Sequence, residues 1–126
     1  MPEPTFSVPA HPAGYSHAVS VPAGRLVWTS GQIAVDAGGN VPAGWEPQTR
    51  LVFANLGGAL MAVGAGWSDV VKLTIFVATE PELETIRVVR DEFVDTSRPP
   101  TSSLVRVAGL VRPDLLLEVE AVAWLP

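Results

Sequence analysis

Along this chain the hydrophobic period switches repeatedly between two residues, as in strands, and about 3.6, as in helices. The order of those switches constrains the fold more than any other feature. "YSHAVSV" (Tyr15 to Val21) alternates and predicts a first strand, stopped by the turn signal "PAGR" (Pro22 to Arg25). "LVWTSGQIAV" (Leu26 to Val35) predicts a second strand, in a hairpin with the first, and "DAGGNVPAG" (Asp36 to Gly44) is loop by composition. From Glu46 the period lengthens. Val52, Leu56, Ala59, Leu60 and Val63 share one helix face, Pro47 suits the first turn, and Gly64 with Gly66 ends the helix. Gly57 and Gly58 in its interior cost about 1 kcal/mol each relative to Ala, which points to close packing there. "VVKLTIFVA" (Val70 to Ala78) is a β-branched third strand, and "EPELETIRVVRDEF" (Glu80 to Phe93) a second helix with Leu83, Ile86, Val89 and Phe93 inward. "SSLVRVAGL" (Ser102 to Leu110) and "LLLEVEAVAW" (Leu115 to Trp124) are strands four and five, separated by a turn around "VRPD". The order is ββαβαββ, an α+β chain with a mixed sheet and two helices on one face.

Residues 1–13 hold four prolines and read as an extended lead-in to a single domain spanning 1–126. Apolar residues make up 48% and charged residues 17%, with a mean hydropathy of +0.31. A domain this small has little interior in which to hide so much apolar area, and its sheet has one face without helices. A second copy of the same sheet is the natural cover. The formal charge of −5, with no cluster of Lys or Arg, argues against a nucleic-acid partner. Without cysteine there is no disulfide, thiolate metal site or cysteine nucleophile. Two histidines, His11 and His17, cannot assemble a triad or a metal set. No stretch approaches the ~20 apolar residues of a membrane span, and the N-terminus lacks a signal-peptide pattern. The expectation is a cytoplasmic protein with no membrane partner, metal or bound cofactor.

Five motifs then coincide: "GYSHAV" (Gly14 to Val19), "WTSGQI" (Trp28 to Ile33), "QTRLVFANL" (Gln48 to Leu56), "DVVKLTIFV" (Asp69 to Val77) and "EVEAVA" (Glu118 to Ala123). Their order and spacing resemble the YjgF/RidA family over residues 12 to 124. The resemblance implies a chorismate-mutase-like domain that assembles as a homotrimer with sites in clefts between subunits. It also implies hydrolysis of enamine or imine intermediates to 2-keto acids and ammonia, without metal or cofactor. Residue by residue, Tyr15 matches the site tyrosine, and Gly31 the glycine whose N–H meets the substrate carboxylate. Glu118 matches the glutamate that holds the hydrolytic water, and Glu120 the second glutamate of that ending. The active members' "P-A-R-S" falls on Pro100, Thr101, Ser102 and Ser103, so their carboxylate-gripping arginine is Ser102 here. Leu104 occupies the place of a small polar or thiol residue, and Arg87 falls near a helix asparagine.

These substitutions bear on the chemistry. Imine hydrolysis needs a water, a group that orients or deprotonates it, and a fixed charge on the substrate acid. Glu118 and Glu120 share one strand face by the period of two, opposite Leu117, Val119 and Ala121. Glu118 either positions water in a cleft or pairs with Arg106 across a hairpin. Arg106 lies four residues, about 13 Å, along the strand from Ser102, too far to replace the missing group. Arg87 and Arg90 are three apart on one helix face and offer either two donors to a cleft or two solvated cations. A serine supplies one neutral hydrogen bond where an arginine supplies a charged fork. Deaminase activity with weak or altered specificity is therefore expected, the alternative being a trimer that only binds a small metabolite in the same cleft. A ribonuclease or translation inhibitor fits the acidic charge least. His17 reads as a strand-surface residue, and Trp28, Trp67 and Trp124 as packing or interface residues. Trp45 is the tryptophan expected to edge a pocket.

Overall fold

The computed structural model describes residues 2–10 and 14–126; the expectations placed on His11 lie outside them. The chain runs β1 (Thr5–Ser7), β2 (Ala18–Ser20), β3 (Arg25–Trp28), β4 (Gln32–Ile33), α1 (Trp45–Ala62), β5 (Val70–Val77), α2 (Leu83–Asp91), β6 (Thr101–Arg106) and β7 (Leu117–Leu125). The main sheet has the order β3–β7–β5–β6, with β4 continuing beside β7. Only β5 and β6 are parallel, joined through α2, and all pairs with β7 are antiparallel. This is the expected α+β fold with a mixed sheet.

The pairing corrects three local expectations. The first predicted strand does not form a hairpin with the second; β2 pairs with β1, inside the stretch read as a lead-in. The second predicted strand breaks into β3 and β4, and the register against β7 steps by one residue between them. At the break the Thr29 N–H donates to the Ala121 carbonyl (3.0 Å), and the Thr29 hydroxyl accepts from the Ala121 N–H (3.0 Å). A side chain thus fills the ladder where the backbone bulges. Finally, β6 and β7 are not hairpin partners, because β5 lies between them.

Burial alternates along β7 as far as Ala123: Leu117, Val119, Ala121 and Ala123 are buried, with Glu118 half-buried and Glu120 exposed between them. On β5, Leu73, Ile75 and Val77 are buried against the helices, while Thr74 and Phe76 face the other way. Val52, Phe53, Leu56 and Leu60 carry the inner face of α1. Trp45 is also in this core, 8% exposed, which corrects its expected place at a pocket edge. Its position in the first turn of α1 points it inward with Thr49 and Val52. Two polar side chains fasten α1 to the sheet. Gln48 donates to the Pro42 and Asp114 carbonyls and accepts from the Leu116 N–H. Asn55 donates to the Ile33 and Val35 carbonyls (2.9 and 3.1 Å), holding β4 in place.

The two interior glycines of α1 separate into different cases. A Cβ on Gly57 would come within 2.9 Å of the Trp67 indole nitrogen, whereas one on Gly58 would meet nothing within 4 Å. Trp67 is itself stacked on Phe53, with ring centroids 5.6 Å apart. Gly58→Ala is therefore expected to stabilise the fold by about 1 kcal/mol. Gly57→Ala should lose that gain to displacement of Trp67. Urea midpoints of the two variants test this, and equal stabilisation by both would remove the packing explanation.

Between α2 and β6 the Asp95 carboxylate accepts from the Ser97 hydroxyl (2.6 Å), the Ser97 N–H (3.0 Å) and the Arg98 N–H (3.3 Å). Those donors, the Ser97 hydroxyl foremost, hold its carboxyl below the usual aspartate range. A depressed carboxyl stabilises the fold above its unfolded pKa and loses that contribution as pH falls through the folded value. Asp95→Ala should cost about 0.5–1.5 kcal/mol at pH 7. The gap from the native chain should narrow toward pH 2; an equal gap at both pH values would refute the turn's charged role.

Candidate active site

Tyr15 reaches its place through its neighbour. The buried Ser16 donates its hydroxyl to the Pro99 carbonyl (2.5 Å) and its N–H to the Pro100 carbonyl (2.9 Å). A parallel bridge from Ser16 to Thr101 completes the latch, so the residue before it is delivered to the head of β6. Gly14 precedes it at φ +77°, a conformation that favours glycine, with its Cα pressed against the Arg90 guanidinium.

Beside this latch, Tyr15, Arg87, Arg90, Ser102 and Leu104 border one cavity of about 450 Å³, with Ile75, Leu83 and Ile86 as its apolar walls. Ser102 and Leu104 are in register with Leu73 and Ile75 of the parallel neighbour, which places them on the helix side of the sheet. Arg87 and Arg90 arrive from α2, one turn apart, as their spacing requires. Their environments differ. Arg90 is 7% exposed and its Nε donates to the Asp91 carboxylate at 3.0 Å. Arg87 is exposed and makes no ion pair among the described residues. Both arginines border the cavity, Arg87 while exposed to solvent.

Glu118 and Glu120 lie elsewhere. They pair with Phe76 and Thr74 of β5, on the face without helices, and border a separate depression with Val107 and Val111. Gly31 abuts the Glu118 carboxylate so closely that a Cβ there would collide with it. The break between β3 and β4 makes that approach possible, and Asn55 secures it from behind. Arg106, offered as a partner for Glu118, is instead bonded to Glu80 at 2.6 Å. Glu118 makes no ion pair among the described residues.

The expected site residues therefore form two groups within one chain. Tyr15, Arg87, Ser102 and Leu104 gather on the helix side, at the β6 edge, while Gly31, Glu118 and Glu120 gather on the open face. A small ligand in the first group cannot also touch the second group of the same chain, because a β-sheet separates them. Around the open face, Trp28 (69% exposed), Leu26, Val105 and Val111 are exposed apolar side chains. His17 is exposed as expected, its ring 6.0 Å from that of Tyr15. Trp124 is buried and donates its indole N–H to the Pro22 carbonyl. Sequence reasoning missed the supporting roles of Ser16, Thr29 and Asn55. Each is a polar residue within a motif, and nothing local to it names its distant partner.

Among the described residues no group of three or more His, Asp or Glu is placed to hold a metal ion, and no helix is long and apolar enough to cross a membrane.

The fold matches solved chorismate-mutase-like proteins over nearly its full length, including the Rid-family protein YyfB of Yersinia pestis. That match has a TM-score of 0.80 at 32% identity, covering 98% of this chain and 99% of the other. The structure of E. coli TdcF with bound serine superposes with a TM-score of 0.74 at 34% identity, covering 97% and 96%. The Endoribonuclease L-PSP family matches residues 5–125, and this chain belongs to that family, the YjgF/RidA proteins. One curated relative is the 2-iminobutanoate/2-iminopropanoate deaminase of Mus musculus, 32% identical over 121 residues, covering 94% of this chain and 87% of the relative.

Proposed function

We propose that this protein hydrolyses enamine or imine intermediates to 2-keto acids and ammonia, with altered specificity, in a homotrimer whose active sites form between subunits. The observation that carries this reading is the division of the site residues between opposite faces of one sheet. Joining the Tyr15 group of one subunit to the Glu118 group of the next makes a complete site. The exposed apolar residues around Glu118 supply the surface for that contact. The deaminase name of the murine relative agrees with the reaction class.

In the reaction, water adds through its oxygen to C2 of the protonated imine, and Glu118 accepts the proton that the water releases. The product is a carbinolamine. Glu118 then returns its proton to nitrogen and the C–N bond breaks, its electron pair leaving with nitrogen. The hydroxyl proton passes to the departing ammonia, which leaves as ammonium, and the C=O bond forms. Gly31, held against Glu118, offers its N–H to the substrate. Tyr15 presents a hydroxyl that can orient the imine nitrogen, and Glu120 borders the water side.

A second reading, a metabolite-binding trimer without catalysis, is favoured by Ser102, which removes a charged fork from β6. Sedimentation at micromolar concentration, together with decay of an imine generated in situ, tests both. The proposal expects a mass near three chains and faster imine decay than in buffer. A stable monomer would sink the composite site, and a trimer without hydrolysis would leave the binding reading.

A further inference from the structure

The helix-side cavity carries an inference about the substrate, which rests on the imine-hydrolase reading for the chemical class of ligand. We infer that Arg87, from α2, is the anion grip of this protein. On this assignment the cavity selects a 2-imino or 2-keto acid with one carboxylate and a branched apolar side chain.

Three observations lead there. First, β6 presents Ser102 and Leu104 to the cavity. Neither can neutralise a carboxylate, and Ser102 is short, so space opens at its position on β6. Second, the charge available to an incoming anion comes from the helix. Arg90 lines the same cavity, but the residue is 7% exposed and its guanidinium is bonded to Asp91 and packed on Gly14, so its charge is largely offset and its position fixed. Arg87 is exposed beside it, in no ion pair among the described residues, and can turn its fork to a carboxylate. One fork serves one carboxylate. A second carboxylate would find Arg90 already bonded to Asp91 and, apart from the Tyr15 and Ser102 hydroxyls, only the apolar Ile75, Leu83, Ile86 and Leu104. Third, those four side chains make up the apolar part of the cavity lining, suited to a branched aliphatic tail.

Keto acids are the stable products of the proposed reaction, so their binding reads the grip without hydrolysis. The probes are 2-oxobutanoate, 4-methyl-2-oxopentanoate and 2-oxoglutarate, titrated calorimetrically into the assembled protein, with the methyl ketone 4-methylpentan-2-one as the uncharged control. The branched acid should bind about tenfold more tightly than 2-oxobutanoate, from its two additional buried carbons. 2-Oxoglutarate should bind more weakly than the branched acid. Arg87→Ala, at an exposed helix position, should weaken both monocarboxylates roughly ten- to a hundredfold and leave the ketone unchanged. Arg87→Lys should fall between. Ser102→Arg should refill the space along β6, keeping 2-oxobutanoate and losing the preference for the branched acid. Unchanged keto-acid binding in Arg87→Ala would overturn the assignment, as would tightest binding of 2-oxoglutarate or no binding of any keto acid. Arg87-dependent binding in a protein that shows no imine hydrolysis would uphold the grip while ending the enzymatic reading, so the two fail separately.

Discussion

Replacing Glu118 with glutamine should lower imine hydrolysis by about 10²- to 10⁴-fold while leaving the assembled mass unchanged. Glutamine keeps the size of the side chain, and so the contact with Gly31, but it cannot take a proton from water. The position also isolates the chemistry from folding. Glu118 is half-buried on the open face and makes no ion pair among the described residues, so its charge is not committed to holding two elements together. Arg106, the cation that could have given it a structural role, is engaged by Glu80. The measurement is the first-order decay of an imine made in situ, compared at equal protein concentration. A loss of less than threefold would remove Glu118 from the proton transfer and leave the cavity on the helix side as a binding site alone.

The second large effect concerns two inactive proteins that become active together. On the proposed assembly, a trimer of Glu118→Gln chains has intact Tyr15 groups, and a trimer of Tyr15→Ala chains has intact Glu118 groups. If each site takes one group from each of two neighbours, unfolding and refolding an equal mixture should restore about a quarter of the native sites, given random assembly in a closed ring. The parent variants alone should stay near the uncatalysed rate. Restoration is a demanding outcome, because sites contained within single chains cannot produce it at any mixing ratio. Activity equal to the mean of the two parents would therefore exclude the composite site. Tyr15→Ala is suitable because the adjacent Ser16 latch, through Pro99 and Pro100, involves the serine side chain and backbone and leaves the tyrosine ring out of the load.

Much of this site is legible in the residues before any coordinates. The period of two along "EVEAVA" places Glu118 and Glu120 together, opposite the core, and β7 follows it through Ala123. The three-residue step from Arg87 to Arg90 places both on one side of α2, and both reach one cavity. Gly57 and Gly58 look alike in a helix, yet the Trp67 ring packs on one of them only. The expectations that fail share a feature: each takes neighbours in the chain to be neighbours in the sheet. Tyr15 to Val21 was expected against Leu26 to Val35, and β6 against β7. Instead β2 turns back to β1, and β5 separates β6 from β7. Trp45 fails differently, since its position at a loop end suggested exposure while the first turn of α1 rotates it into the core.

What the amino-acid sequence determined by itself is the set of faces: which residues share a side of a strand or a helix follows from backbone geometry repeated every two or about 3.6 residues. The identity of Ser102 and the absence of cysteine are likewise complete in the sequence. Which faces meet was decided by the tertiary structure. Placing β6 beside β5 through the α2 crossover put Ser102 under Arg87, sent Arg106 to Glu80, and left Glu118 on the opposite face beside Gly31. Such contacts join residues far apart in the chain, and their geometry depends on how the layers pack around Val52, Phe53, Leu73 and Val119. No local period encodes that packing, because it is the burial of the whole core that selects one arrangement of strands over another.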